Sequence, residues 1–258
     1  MSGPRVLMYH DVVPEGRPEV SGFPGTAGSR YKLEEARFAE HLDRLRATSL
    51  GFGLLAADGA RPPAALTFDD GGSSALHVAE ELERRGWRGH FFVTTGRIGM
   101  PGFVTADEVR ELARRGHDVG SHSHSHPKYM ASLSDAAILE EWARSRDELQ
   151  ELLGRPPRTA SVPGGFLSGS VIAAAERVGY GVLLTSVPSA RLHRHGAMWV
   201  TGRFTILSST SPARAVAFAT GDARACGSQW AAYVIKDAIK RVSPAAFDAL
   251  RRVAGVRD

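Results

Sequence analysis

Two kinds of segment alternate along this chain. Seven short runs of apolar, β-branched and aromatic residues are candidate strands, and segments with apolar residues at helical spacing separate them. The candidate strands are RVLMYH, AALTFDD, GHFFVTT, HDVGSH, TASVPGG, GVLLTSVP and WVTGRFTIL. Because strands that are apolar on both faces need cover on both faces, the alternation predicts an α/β fold with a parallel sheet packed against helices. Seven such units favour a barrel over an open sheet, two arrangements that periodicity alone does not distinguish.

The composition limits the classes of protein to consider. The chain has 258 residues, a net charge of +4 and one cysteine, Cys226. It shows no linker-like change in composition and no internal repeat, which predicts one domain over residues 1–258. The arginines are scattered among acidic residues, whereas nucleic-acid-binding proteins concentrate them in a patch, so we expect no nucleic-acid partner. Cys226 has no partner for an internal disulfide and is predicted to be a buried structural thiol.

Signals for a membrane or for export are absent from the sequence pattern. We find neither a signal peptide nor an apolar stretch long enough for a membrane span, which predicts a cytoplasmic location. The segment SQWAAYVIKDAIKRVSPAAFDALRRV has apolar residues at helical spacing, interleaved with Lys236, Lys240, Arg241, Arg251 and Arg252. Such a helix can bind an anionic membrane, but a helix packed on the protein with a solvated basic face is the favoured interpretation.

Polar residues follow four of the candidate strands. The four strand ends read LMYHD, LTFDDGG, GSHSHSHP and SVPGG. In a parallel barrel these ends lie on one face, which is where the active sites of such barrels are found. The long Pro- and Gly-rich segment Val13–Arg30 leaves the same face and is a candidate substrate-covering loop, with a floppy insertion as the alternative.

The histidines and aspartates at these ends have the chemistry of a catalytic metal site. His122 and His126 are four residues apart, so one helical turn would point both imidazoles at the same place, with His124 pointing elsewhere. A zinc ion accepts two histidines and one carboxylate and keeps a position for water. One of Asp69 and Asp70 can then bind the metal while the other acts as general base. An ordinary Asp-Gly turn and a solvated His-rich tract are the competing interpretations.

Two of these motifs resemble the polysaccharide deacetylases, carbohydrate esterase family 4. Residues 67–71 match the motif Thr-Phe-Asp-Asp-Gly, and residues 122–127 match His-Ser/Thr-x-x-His-Pro. The resemblance covers roughly residues 6–188 and implies a distorted seven-stranded (β/α) barrel. It also implies that Asp69 is the base and that Asp70, His122 and His126 bind a divalent metal, zinc above all, with nickel, cobalt or manganese as alternatives.

The chain departs from the family pattern at two places. The third motif, Arg-x-Pro-x-Gly, has Ser161 in place of arginine, so another group must hold the base. Gly164, through its backbone amide, and Pro163 are candidates for oxyanion or substrate binding. No strand end after residue 188 matches the family's final Leu-x-His-Asp motif; His193 and His195 are read as solvated.

The first strand carries the missing histidine motif instead. Its end, LMYHD, resembles the final motif moved to the front, as in the biofilm poly-N-acetylglucosamine deacetylases of this superfamily. His10 is therefore the predicted general acid, with a structural strand-end histidine as the alternative, and Tyr9 is a further candidate substrate-binding residue. Because a barrel closes on itself, a unit moved between chain ends keeps its place in space.

The resemblance implies metal-dependent removal of acetyl groups from an N-acetylated or O-acetylated sugar of a polysaccharide or its precursor, such as an exopolysaccharide intermediate. Asp69 would take a proton from water and His10 would protonate the leaving group. Two alternatives remain: hydrolysis of a non-sugar carbon–nitrogen bond in an imide or ureide, and a metal-site binding protein without activity. The expected partner is the carbohydrate substrate, and the oligomeric state is not predicted.

Overall fold

A computed structural model describes residues 3–58 and 62–242. Its centre is a nine-stranded sheet with the strand order β11-β1-β4-β5-β6-β7-β8-β10-β9, in which β9 alone is antiparallel to its neighbour. A separate parallel pair joins β2 to β3. The strands are β1 Arg5–Tyr9, β2 Val12–Val13, β3 Leu33–Glu34, β4 Ala64–Phe68, β5 His90–Val93, β6 Asp118–Ser121, β7 Thr159–Ser161, β8 Val182–Leu184, β9 Leu192–His195, β10 Met198–Thr201 and β11 Phe204–Thr205.

Helices connect most of the parallel strands, as the periodicity predicts. Their boundaries follow the sequence signals: Thr105 and Glu108 form a capping box at the start of the helix Ala106–Arg114, and Gly154 and Gly179 end the helices Asp135–Leu153 and Gly169–Val178 in the left-handed conformation. The helices are α1 Gly25–Ser29, α2 Glu35–Arg46, α3 Ala75–Glu83, α4 Ala106–Arg114, α5 Asp135–Leu153, α6 Gly169–Val178, α7 Pro212–Thr220 and α8 Ala223–Val242.

The seventh predicted strand is broken, and the break curls the sheet into an incomplete barrel. Within WVTGRFTIL, β10 pairs with β8 at one side of the sheet and β11 pairs with β1 at the other. Gly202 and Arg203 alone separate these two strands, so the two sides must lie within about 11 Å of each other. A Cβ at Gly202 would collide with the backbone carbonyl oxygen of Val187, so glycine is required at this link. The expected distorted seven-stranded barrel is thus present, with its seventh position divided between β10 and β11.

Alternation along each strand separates two apolar layers. Leu7, Leu66 and Phe91 face outward and pack under the helices. Val6, Ala65 and Phe92 face the barrel interior, where Val182 and Leu184 join them. The same alternation places Thr67 and Asp69 inside the barrel and Phe68 outside it.

The C-terminal part of the described chain is the long helix α8. It exposes Trp230, Val234 and Ile235. No described helix has both the length and the apolar character needed to cross a bilayer. The basic amphipathic segment predicted over residues 228–253 continues past the described residues, so its last part, 243–253, lies outside them. Cys226, predicted to be buried, is half-buried against the core.

Candidate active site

Residues from four neighbouring strands meet at the carboxyl end of the barrel. Asp69 and Asp70 follow β4, His122 follows β6, Ser161 ends β7, and His10 follows β1. The strands are parallel and adjacent in the sheet except for β5, which lies between β4 and β6. The register of β1 with β4 pairs Tyr9 with Phe68, which places His10 beside Asp69. The predicted convergence of the strand ends is therefore what the structure shows.

Asp70, His122 and His126 form a candidate metal site. Oδ1 of Asp70 lies 3.4 Å from Nε2 of His122 and 3.5 Å from Nε2 of His126. The three ligand atoms all lie within 4.8 Å of one another, and no second group of this kind occurs in the described part of the chain. Nδ1 of His122 donates to the carbonyl oxygen of Ser161 over 3.0 Å, which turns its Nε2 lone pair toward the site. Two imidazoles and one carboxylate facing one point fit a zinc-type ion.

The backbone reaches this arrangement without the expected helical turn. Ser123 and His126 adopt left-handed conformations, with φ of 64° and 58°, and Asp70 does the same at 78°. Such conformations cost about 1–3 kcal/mol each in non-glycine residues and cluster at functional sites. Hydrogen bonds support the bend: the amide of Ser123 donates to Oγ of Ser121, and the amide of His126 donates to Oγ of Ser123. The spacing of the histidines was therefore informative, but the conformation inferred from it was wrong.

Arg203 holds Asp69, and sequence reasoning missed it. Its guanidinium donates to both carboxylate oxygens of Asp69, over 2.6 and 2.8 Å, and both side chains are almost wholly buried, at 0% and 3% exposure. Arg203 also donates to Oγ of Ser161 and Oγ1 of Thr67 and, through Nε, to the carbonyl oxygen of Thr185. Ser161 in turn donates to Asp69 over 3.1 Å. The arginine absent from the third motif is thus replaced in space by one from the β10–β11 link.

A charged residue beside glycine, inside an otherwise apolar run, was the available signal for Arg203. Glycine within a strand pattern often marks a break or a close backbone approach.

Comparisons with known proteins agree with this site. A sequence model of the family described as polysaccharide deacetylase matches residues 56–183, a span that contains the aspartates, both histidines and Ser161. The chain belongs to the polysaccharide deacetylase family. Among curated relatives, the peptidoglycan-N-acetylglucosamine deacetylase PgdA of Listeria monocytogenes is 34% identical over 126 residues, 48% of this chain and 25% of that protein. An uncharacterized 30.6 kDa protein of Geobacillus stearothermophilus is 32% identical over 45% of this chain and 43% of its own length.

The matched segments thus span less than half of these two curated relatives. Solved structures share the fold over more of the chain. The polysaccharide deacetylase BC0361 from Bacillus cereus superimposes with a TM-score of 0.69 and 17% identity, covering 82% of this chain and 68% of that one. IcaB from Ammonifex degensii superimposes with a TM-score of 0.68 and 23% identity, covering 85% of this chain and 98% of that one.

The electrostatics of the site in this family member favour bound cations. Burial is the largest influence on the pKa of Asp69 and would raise it, but the charge of Arg203 and of His122 outweighs burial and holds this pKa below its usual range. Burial likewise opposes ionisation of Asp70, yet the hydrogen bond from His122 and the charge of nearby histidines lower its pKa. Both carboxylates are therefore ionised at neutral pH.

The two histidines respond in opposite directions to these carboxylates. Burial works against the protonated form of His122, but Asp69 and Asp70 outweigh it and raise the pKa of His122 above its usual value. Burial dominates at His126 and lowers its pKa to about 4. The carboxylates thus create a place that favours positive charge, either a proton on His122 or a bound cation.

His10 lies close to this site. A positive charge on its ring would lower the pKa values of Asp69, Asp70 and His126, which shows that it is near all three. The ring packs on Tyr31, with 4.5 Å between centroids. Its Nδ1 is buried and has no hydrogen-bond partner among the residues that the structure describes.

Three further candidates have different positions. Tyr9 is not at the site: it points outward from the sheet, is 1% exposed, stacks on Phe68, and its hydroxyl pairs with Nδ1 of His41. Strand alternation explains this correction, because Tyr9 and His10 must face opposite sides. Pro163 and Gly164 lie in the short 3-10 turn after β7. Gly164 is left-handed, with φ of 64°, and a Cβ there would come within 2.9 Å of the carbonyl oxygen of Lys128, so the position requires glycine.

The remaining histidines lie outside the site. His124 turns away from the metal ligands and pairs through Nδ1 with Glu148 over 3.0 Å, in line with its predicted exclusion. His193 is exposed on β9, and His195 pairs with Glu176. The segment containing them, read as a loop, is an edge strand.

Proposed function

We propose that this protein is a metal-dependent hydrolase that removes acetyl groups from an N-acetylated or O-acetylated sugar of a polysaccharide or its precursor. The observation that carries the proposal is the ionised, buried carboxylate of Asp69 beside three side chains able to bind a divalent ion. Three protein ligands leave positions for water and substrate, which distinguishes catalytic from structural zinc sites. Family membership supports the same activity.

Asp70, His122 and His126 would hold the ion. We propose zinc, although nickel, cobalt or manganese suit similar ligands. When bound, the ion would polarise the acetyl carbonyl group and lower the pKa of a water molecule. The hydrogen bond from His122 to Ser161 fixes the tautomer that leaves Nε2 free for binding.

Asp69 would accept the proton of the attacking water. Arg203 and Ser161 use three of the roughly four acceptor positions of its carboxylate, which leaves one for that water. The same hydrogen bonds fix the orientation of the base. Backbone amides around Gly164 would stabilise the negative charge that develops on the acetyl oxygen.

His10 would complete the reaction by protonating the leaving group. As the carbon–nitrogen or carbon–oxygen bond of the acetyl group breaks, the amine or alcohol takes the proton from His10 and acetate remains. The strand order supports this role, because β1 lies between β11 and β4 and brings His10 to the face that carries the metal ligands.

The absent motif arginine gives some support to the alternative of a binding protein without activity. This argument for an inactive protein no longer holds, because Arg203 pairs with Asp69 in place of the motif arginine. A structural site has no need for an ionised base held beside three ligands.

Acetate release from N-acetylated oligosaccharides tests the proposal. Untagged protein should release acetate, lose this activity with a chelator, and regain it with zinc. Asp69→Asn should keep its metal and lose activity by about a hundred- to ten-thousand-fold. The matched variant Asp70→Asn should lose the metal itself. Full metal occupancy in Asp70→Asn and His126→Ala would disprove the ligand set, and zinc binding without acetate release would point to a non-sugar substrate or to a binding protein.

A further inference from the structure

The two candidate histidine ligands are held in different ways. His122 is fixed through its second ring nitrogen, which donates to the carbonyl oxygen of Ser161. A histidine that binds a metal ordinarily has such a partner, and this partner orients the ring. Nδ1 of His126 has no hydrogen-bond partner in residues 3–58 and 62–242. Among the described residues, packing is therefore what can orient this ring.

Phe23 supplies that packing from the loop after the first strand. Its ring lies against the His126 ring, with 4.7 Å between centroids and 43° between the planes. Phe23 is itself held from two other directions. Phe103 meets it edge-on at 5.1 Å, and the guanidinium of Arg97 lies 5.3 Å from its centroid. These contacts hold the Phe23 ring in place against the His126 imidazole.

The loop that carries Phe23 is anchored by a buried carboxylate. Asp11 accepts hydrogen bonds from Ser21 over 2.6 Å and from Ser74 over 2.8 Å, while the amide of Ser74 donates to Oγ of Ser21. The amide of Gly22 donates to the carbonyl oxygen of Gly102 over 2.7 Å. Both residues before Phe23 are thus tied to other segments of the chain, Ser21 to Asp11 and Ser74 and Gly22 to Gly102.

We propose that Phe23 is a positioning residue for the metal site, which holds the His126 imidazole in the orientation needed for metal binding. Packing by this ring takes the place of the hydrogen bond that orients His122. The Asp11–Ser21 contact makes the loop part of the site, so that metal affinity depends on how the loop is anchored. The proposal rests on the ligand set proposed above.

Zinc affinity, measured by competition with a chromophoric chelator on untagged protein, tests this role without any activity assay. Phe23→Ala should bind zinc about tenfold more weakly, at the lower end of the 10–100-fold effects seen for residues that orient metal ligands. Phe23→Tyr keeps the flat ring and should retain wild-type affinity. Ser21→Ala, which removes the anchor and leaves Phe23 intact, should give a smaller loss.

Phe52→Ala is the matched control. Phe52 is also half-buried and packs on one ring, that of Trp87 at 4.6 Å, but it lies away from the site. It should bind zinc as the wild type does. Folded Phe23→Ala with affinity within twofold of wild type would overturn the proposal. If Phe23→Ala does not fold, Phe23→Leu, which retains apolar volume without the ring, replaces it under the same criterion. Unchanged affinity in His126→Ala would instead disprove the ligand set.

Discussion

The guanidinium of Arg203 reaches Asp69 from a point 134 residues later in the chain. Ser161, which stands where the family motif has arginine, donates to the same carboxylate. Two residues, Ser161 at the end of β7 and Arg203 in the β10–β11 link, therefore do what one motif residue was expected to do. At the residue scale, the motifs identified Asp70, His122, His126 and Asp69, because their chemistry is carried by adjacent or closely spaced residues. Arg203 has no such local pattern, since only the three-dimensional closure of the barrel brings it to Asp69.

The fork geometry of Arg203 leads to a prediction. Arg203→Lys keeps the positive charge but cannot donate to both oxygens at once. We expect a folded protein with normal metal content and a kcat reduced about a hundredfold, the effect of displacing a reacting group by about 1 Å. Arg194→Lys, at an exposed arginine stacked on Trp199, is the control and should leave kcat unchanged. A wild-type kcat in Arg203→Lys would show that a single contact to the carboxylate is enough to orient Asp69.

His10 can be tested through the leaving group. His10→Ala should keep its metal but lose most activity on an acetamido sugar, because an amine leaves poorly unless it is protonated. Activity on an acetate ester with a good leaving group should be spared. His195→Ala, whose side chain pairs with Glu176 on the edge hairpin, should change neither activity. Full amidase activity in His10→Ala would rule out His10 as the acid.

At the scale of elements, periodicity predicted most strands and helices because each has a buried face with its own spacing. The failures have physical causes. WVTGRFTIL reads as one strand, yet Gly202 and Arg203 divide it between two sides of the sheet. RLHRHG reads as a basic loop because an edge strand can expose polar side chains on one face. The bend between His122 and His126 uses left-handed residues, which the sequence does not reveal when they are not glycine.

The break between β10 and β11 predicts a strict requirement for glycine. In Gly202→Ala the new methyl group would collide with the carbonyl oxygens of Val187 and Ser189. We expect a loss of about 1–3 kcal/mol in the free energy of unfolding, typical of overpacking, together with reduced activity as Arg203 shifts. Denaturant unfolding measures the first. Gly227→Ala, in the exposed helix α8 with no atom near the added methyl group, should instead be neutral or stabilising. Equal stability of the two variants would contradict this account.

At the scale of the whole molecule, metal binding should stabilise the fold. Free zinc at a hundredfold excess over its Kd adds about 2.7 kcal/mol. For a protein of this size that corresponds to a rise in Tm of roughly 5–10 °C. Thermal unfolding of chelator-treated protein with and without zinc measures it, and His126→Ala, with one ligand removed, should show a much smaller rise.

The zinc-induced rise in Tm should depend on pH because of His122. Its raised pKa means that protonated His122 stabilises the metal-free fold at pH values below about 6.5, the ordinary value. This stabilisation is lost as pH rises through the raised pKa, and zinc must displace the same proton. At equal zinc concentration the rise in Tm should therefore be smaller at pH 5.5 than at pH 7.5. His126, with a pKa of about 4, stays neutral at both. A rise independent of pH would contradict the assignment of His122 as a ligand.

The link that closes the barrel also determines at which point of synthesis the candidate active site can be completed. Asp69 leaves the ribosome 134 residues before Arg203, a delay of roughly 7–30 s at ordinary rates of translation. Until Arg203 arrives, the carboxylate of Asp69 lacks its two-point partner, and the short link between β10 and β11 does not yet join the two sides of the sheet. A nascent or truncated chain that already contains all three candidate metal ligands and Ser161 therefore still lacks the arginine that fixes the proposed base, so we expect no activity until the last strand position is filled.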